Sequence, residues 1–173
     1  WSVKTPKEDL RAKEHTYTWG HGNWWINVER DDPSACFGDE CDTDQYLKEV
    51  NAQKLCGYSD WRLPTYEELL TLVEKYRLDK KAKEPAIDQR FFPNTSFEGF
   101  YWTGSTAPYN DDLANEYNDD PGSGHFPINH SFVVPFGEDY TNRYYEARHK
   151  STAQHVRLIR GSKLNDLGQI PVY

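Results

Sequence analysis

The sequence predicts an α+β fold, with two early helices packed against a largely antiparallel sheet and long polar loops. Three observations carry this. Two segments with helix-start signals lie close together between residues 42 and 73, segments rich in aromatic and β-branched residues stand before and after them, and the later segments are separated by long polar connections. With 173 residues the chain is the size of one domain, able to bury roughly 70% of its unfolded surface. Only 36% of residues are hydrophobic but 15% are aromatic, so rings must supply much of the core, and a disordered chain is excluded because disorder goes with few aromatics.

The first helix is expected over CDTDQYLKEVNAQKLCG. Asp42 is its N-cap with Gln45 three residues on, Tyr46 and Val50 share a face, and Gly57 offers the left-handed stop. The second opens at Thr65, where Thr65 and Glu68 make a capping box, Pro64 fixes the approach, and Tyr66, Leu69, Leu70 and Val73 form one apolar stripe. Between them, Pro64 keeps Leu63 out of the helical region, so Ser59 to Leu63 must run extended and turn Trp61 and Leu63 inward. Arg62, beside the positive end of the second helix, requires an acid; Asp60, Glu67 and Glu68 are at hand, and the expectation is a structural ion-pair network. Trp61, Arg62, Pro64, Thr65 and Glu68 are therefore read as architectural.

Strands are expected at HTYTW, WWINV, FYWTGS, SFVVPFG and HVRLIRG. Phe132, Val134 and Phe136 alternate on one face, while Pro135 on the other suggests an edge strand or bulge. The three cysteines sort by geometry. About fourteen helical residues would hold Cys41 and Cys56 about 20 Å apart, beyond disulfide reach, whereas Cys36 and Cys41 flank a short turn. A Cys36–Cys41 disulfide is expected, with an oxidising compartment, and Cys56 as a buried thiol.

A net charge of −8 argues against a nucleic-acid binder. The charge is uneven: Tyr109 to Gly124 carries Asp111, Asp112, Glu116, Asp119 and Asp120 and no base, whereas Thr141 to Arg160 carries Arg143, Arg148, Lys150, Arg157 and Arg160 against Glu146. No apolar run approaches the ~20 residues that a membrane-spanning helix needs. The chain opens on Trp1 and has no Met, as expected of a processed, exported protein or of a piece of a longer one.

GxSxG, HExxH and Gly-rich phosphate loops are absent and the six histidines are scattered, so no enzyme is expected. Asp111, Asp112, Asp119 and Asp120, in two NDD triplets, are candidate oxygen donors for calcium, the one cofactor considered. Tyr109, Asn110, Arg143, Tyr144, Tyr145, Arg148 and Lys150 are the candidate ligand-binding residues, because they set aromatic faces beside cations and amides.

The succession WSVKT, YTW, CDTDQYLKEVNAQKLCGYSDWRLPTYEEL, PAIDQRFFPNT, FYWTGS, VVPFG and VRLIRG resembles the Lcl C-terminal domain family, named for the C-terminal domain of the Legionella collagen-like adhesin, from Trp1 to about Gly161. The resemblance implies a C-type-lectin-like fold over residues 1–161 with a tail at 162–173, in bacterial exported or surface proteins with adhesive roles; the family's adhesin member binds sulfated glycosaminoglycans. This chain shows no collagen-like stalk and is acidic. The reading is an extracellular, cell-surface or periplasmic binding domain for glycan or protein ligands. The alternative is a structural subunit that docks in a larger assembly or a homo-oligomer.

Overall fold

The computed structural model describes residues 1–4, 11–20, 36, 41–74, 84–106, 130–137 and 146–162. Helix α1 spans Thr43–Ala52; a 3-10 turn, Leu55–Gly57, follows; then come β1 (Trp61–Arg62), α2 (Tyr66–Leu70), β2 (Phe100–Thr106), β3 (His130–Pro135), β4 (Glu146–His149) and β5 (Ile159–Arg160). The fold is α+β, and among the described residues two sheets form, each antiparallel.

The Asp42 carboxylate caps α1 by accepting from the Gln45 amide at 2.7 Å, and Thr43, Tyr46 and Val50 are buried. The helix closes at Ala52, short of Gly57. Lys54 has turned left-handed (φ 49°), and so have Cys56 (φ 53°) and Gly57 (φ 84°). Two local bonds accompany this early stop: the Leu55 carbonyl, which a longer helix would have used itself, accepts from the Trp61 indole at 3.0 Å and from the Tyr58 amide at 3.1 Å. One consequence corrects the expectation for Cys56, whose thiol is exposed instead of buried. The Cys36–Cys41 disulfide forms, with Cα atoms 5.4 Å apart.

At α2 the capping box is complete. Thr65 Oγ1 accepts from the Glu68 amide (3.2 Å) and Glu68 Oε2 accepts from the Thr65 amide (2.7 Å). Tyr66, Leu69 and Val73 are buried on the expected stripe.

The larger sheet has the order β2-β3-β4 and carries a core on each face. Side chains alternate along a strand, and the clusters follow that alternation. Trp102 and Val133 pack with Tyr17, Tyr46, Val50, Trp61, Val156 and Leu158. Tyr101, Val134 and Phe136 pack with Tyr66, Leu69, Val73, Ala86 and Ile87. Helix α1 thus serves one face and α2 the other. The indoles find carbonyls: buried Trp102 Nε1 donates to Tyr17 and half-buried Trp19 Nε1 to Thr103, both at 2.7 Å.

Strand β3 is central, not the edge strand or bulge that Pro135 suggested. Among the described residues β3 pairs with β4 from His130 to Val133 and with β2 from Ser131 to Pro135, so it lies between the two. The register shift falls in β2 instead, between Trp102 and Thr106. Of HTYTW, only Tyr17 and Thr18 enter isolated bridges; of HVRLIRG, only Ile159 and Arg160 form a strand, with a bridge at His155. WWINV lies outside the described residues. Arg148, a candidate ligand-binding residue in the sequence, stands in a strand, Glu146–His149.

Candidate functional site

Arg62 is the hub of the crowded segment. Its Nη1 and Nη2 donate to Glu68 Oε2 and Oε1, each at 2.7 Å. Its Nε reaches the Gly161 carbonyl (2.9 Å), Nη2 the Ser162 carbonyl (2.9 Å) and Nη1 the Leu63 carbonyl (3.1 Å). The same Glu68 closes the capping box, so one carboxylate ties the start of α2 to the chain's course after β5. Of the other acids, Asp60 pairs with Arg160 (3.0 Å) and Glu67 is exposed. Trp61 is buried, and its backbone N–H and C=O are bracketed by the Asn51 side chain at 2.9 and 3.0 Å. This amide stands where another strand would otherwise pair. Pro64 and Thr65 are buried beside it, and the Pro64 carbonyl accepts from Gly104 at 2.7 Å.

Of the bases between Thr141 and Arg160, the described ones, Arg148, Lys150, Arg157 and Arg160, do not make one cationic surface. Arg157 is wholly buried; it donates to the Ser2 carbonyl (3.0 Å) and Thr95 Oγ1 (2.9 Å), with the Phe92 and Tyr101 rings 5.0 and 5.5 Å from its guanidinium carbon. Burial lowers its pKa. Arg160 lies over the Tyr58 ring at 3.6 Å while held by Asp60, whose own pKa that hydrogen bond lowers. Lys150 is 4% exposed, with its ammonium 3.9 Å from the Trp19 ring centre and its pKa lowered by desolvation. Little of it is left for a ligand to touch. Arg148, on β4, pairs with Glu146 at 2.9 Å, lies 4.3 Å from the Phe100 ring centre and keeps 29% of its side chain exposed.

The sequence missed Arg157 as an interior cation because nothing in the alternation of VRLIRG distinguishes a buried arginine from an exposed one. The Tyr58–Arg160 stack escaped as well, since the two residues are about a hundred positions apart. Near Arg157, His155 is buried and held neutral, its pKa lowered to about 4 by desolvation and then by the charge of Lys4.

Tyr109, Asn110, Asp111, Asp112, Asp119, Asp120, Arg143, Tyr144 and Tyr145 lie outside the described residues. Their points of attachment are visible. The chain leaves β2 at Thr106 and returns at His130, and these ends adjoin, since Thr106 pairs with Ser131. It leaves the β3 segment at Gly137 and returns at Glu146, which pairs with Val133 toward the opposite end of the sheet. The aspartate-bearing stretch and the Arg143–Tyr145 stretch are therefore rooted at opposite ends of one sheet. Among the described residues no three His, Cys, Asp or Glu side chains come together to hold a metal, and no helix is long and apolar enough to cross a membrane.

No curated protein and no solved structure matches the chain. A family model does: that of the Lcl C-terminal domain, over residues 1–160. With the disulfide, that match points to an adhesin-type extracellular domain. The chain belongs to the Lcl C-terminal domain family.

Proposed function

We propose that this chain is a non-catalytic extracellular recognition domain on a C-type-lectin-like scaffold, formed by residues 1–161 with 162–173 as a tail, and that it binds glycan or protein ligands through the stretches 107–129 and 138–145. One observation carries the reading. Arg148 stands on β4, three residues after Tyr145, and is set there by Glu146 on one side and the Phe100 ring on the other while staying partly exposed. A fixed, partly solvated guanidinium beside an aromatic ring suits sulfate or carboxylate groups on a sugar chain. A sheet that carries packed cores on both faces also gives the stretches at its ends a rigid base. Calcium is assigned to Asp111, Asp112, Asp119 and Asp120 as oxygen donors.

The test is retention on immobilised heparin and a glycan array, each with and without chelator, for the native chain and the Arg143→Ala/Arg148→Ala double variant. Reduced retention of the double variant is expected. Unchanged retention removes the cationic strand from the proposal, and no glycan signal together with co-purification in fixed stoichiometry would favour a structural subunit of a larger assembly.

A further inference from the structure

We propose that His155 is the trigger of an acid-sensitive latch: a proton on its ring expels Lys4 and unfastens the segment Trp1–Lys4 from the stretch 154–158. The ring is fixed from several sides. Its Nδ1 donates to the His15 carbonyl at 3.1 Å, and its centre lies 5.1 Å from that of the Tyr101 ring, tilted by 31°. It rests on Gly99, where a Cβ would collide with its Cδ2 and Nε2. The backbone is held as well: the His155 amide donates to the Phe100 carbonyl and the Trp102 amide to the His155 carbonyl, each at 2.9 Å. Because a carbonyl only accepts, the hydrogen of the neutral ring is on Nδ1, and an incoming proton must go to Nε2.

The surroundings are cationic. The charges that bear on the ring are Lys4 from the N-terminal segment, Arg157 from its own stretch and Glu14 from the segment before Tyr17, while Tyr101, stacked on it, is held neutral by burial. Lys4 and Arg157 are 3% and 0% exposed. Glu14, the acid of the group, has a largely exposed side chain that pairs with Lys13, so water screens it. Desolvation and the Lys4 charge accordingly lower the pKa of His155 to about 4. Below that, three positive groups share one interior.

Their attachments decide which of the three yields. The imidazole is locked by Gly99 and Tyr101, and Arg157 is pinned to Thr95 Oγ1 at 2.9 Å between the Phe92 and Tyr101 rings. The segment that carries Lys4 is tied more lightly. The Ser2 amide donates to the Leu158 carbonyl (2.7 Å), Ser2 Oγ accepts from the Leu158 amide (2.8 Å), the Ser2 carbonyl accepts from Arg157 Nη1 (3.0 Å), and the Lys4 carbonyl accepts from the Asn94 amide group at a long 3.4 Å. An ammonium that returns to water regains its hydration, so departure of this segment relieves the repulsion while the sheet stays paired. It also takes the Ser2 carbonyl from Arg157, which turns an interior cation toward solvent on acidification.

The experiment is amide hydrogen exchange of the full chain, followed by NMR between pH 7 and 4 and expressed as protection relative to the unstructured rate, beside a Lys4→Met variant. The Leu158 amide, held by Ser2 Oγ, should lose at least about tenfold in protection, because the ring titrates near 4 when held and near ~6.5 when released. The Val50 and Leu69 amides, in the two helices, should keep theirs. Lys4→Met removes the charge and keeps an unbranched side chain, and should lose less at Leu158 than the native chain. The His155 ring resonances of the native chain should titrate well below ~6.5. This readout and the contrast between Leu158 and Leu69 stand even where the variant fails to fold. Unchanged protection at Leu158, equal loss at Leu158, Val50 and Leu69, a His155 ring that titrates near ~6.5, or a folded Lys4→Met that opens as the native chain does overturns the inference. No ligand enters the measurement, so its outcome and the heparin result are independent.

Discussion

Glu68→Ala tests whether one carboxylate holds the corner between the two helices. The side chain is 3% exposed and makes two bonds of 2.7 Å to Arg62 as well as one of 2.7 Å to the Thr65 amide. Removing one partner of a buried pair costs about 3–5 kcal/mol. Arg62 keeps 20% of its side chain exposed and retains three carbonyl acceptors, so the low end, about 3 kcal/mol, applies to the pair. The orphaned Thr65 amide adds about 1 kcal/mol. For a domain of this size the total of about 4 kcal/mol lowers Tm by roughly 8–16 °C.

The assay is thermal and urea denaturation of the native chain, Glu68→Ala, Glu68→Gln, Arg62→Ala and the Arg62→Ala/Glu68→Ala double variant. Glu68→Gln should lose about half as much, because an amide oxygen can still accept from Thr65. The double variant should be less destabilised than the sum of the two single variants by at least about 1 kcal/mol. A loss below about 1 kcal/mol for Glu68→Ala, or simple additivity, would refute the assignment of Arg62 and Glu68 as one structural unit.

His155 gives a pH signature. Its folded-state pKa of about 4 lies below the ordinary value of 6.5, so as pH falls the unfolded chain takes up the proton first. Its contribution is complete above pH ~6.5, declines between there and pH 4, and is lost by up to about 3 kcal/mol below that. Urea midpoints at pH 7 and 4.5 should diverge more for the native chain than for His155→Gln; equal slopes would refute the burial argument. Asn51→Ala removes both side-chain bonds to the Trp61 backbone and should cost about 2 kcal/mol, read as a lower urea midpoint with unchanged m. Opening the Cys36–Cys41 disulfide frees only a short loop, and reduction should cost about 2 kcal/mol in the chain-entropy account, read as a drop in Tm with dithiothreitol that a Cys36→Ser/Cys41→Ser variant no longer shows.

How much was legible in the residue order depended on range. Asp42 with Gln45, and Thr65 with Glu68, are contacts three residues apart, and they appear where the pattern placed them because a cap is made within one helical turn. The disulfide closes over five positions and was equally legible. The end of α1 was not, because the left-handed turn falls on Lys54, a non-glycine residue that no local pattern marks as a stop. Nor was the fate of the bases after Thr141. Their partners Trp19, Phe100, Asp60 and Thr95 lie between 48 and 131 positions away, and composition alone made them look like one exposed cationic run.

The sequence by itself therefore determined the fold class, the helix starts, the short disulfide and the family, since each rests on periodicity or on groups that meet locally. Only the tertiary structure decided which of three acids Arg62 takes, that Arg157 and Lys150 are interior cations, that Cys56 faces solvent, and that His130 and His149 stand opposite one another. The physical reason is that side-chain pairing across strands and between distant segments is selected by burial and register. Those are properties of the assembled sheet and not of any local stretch of chain.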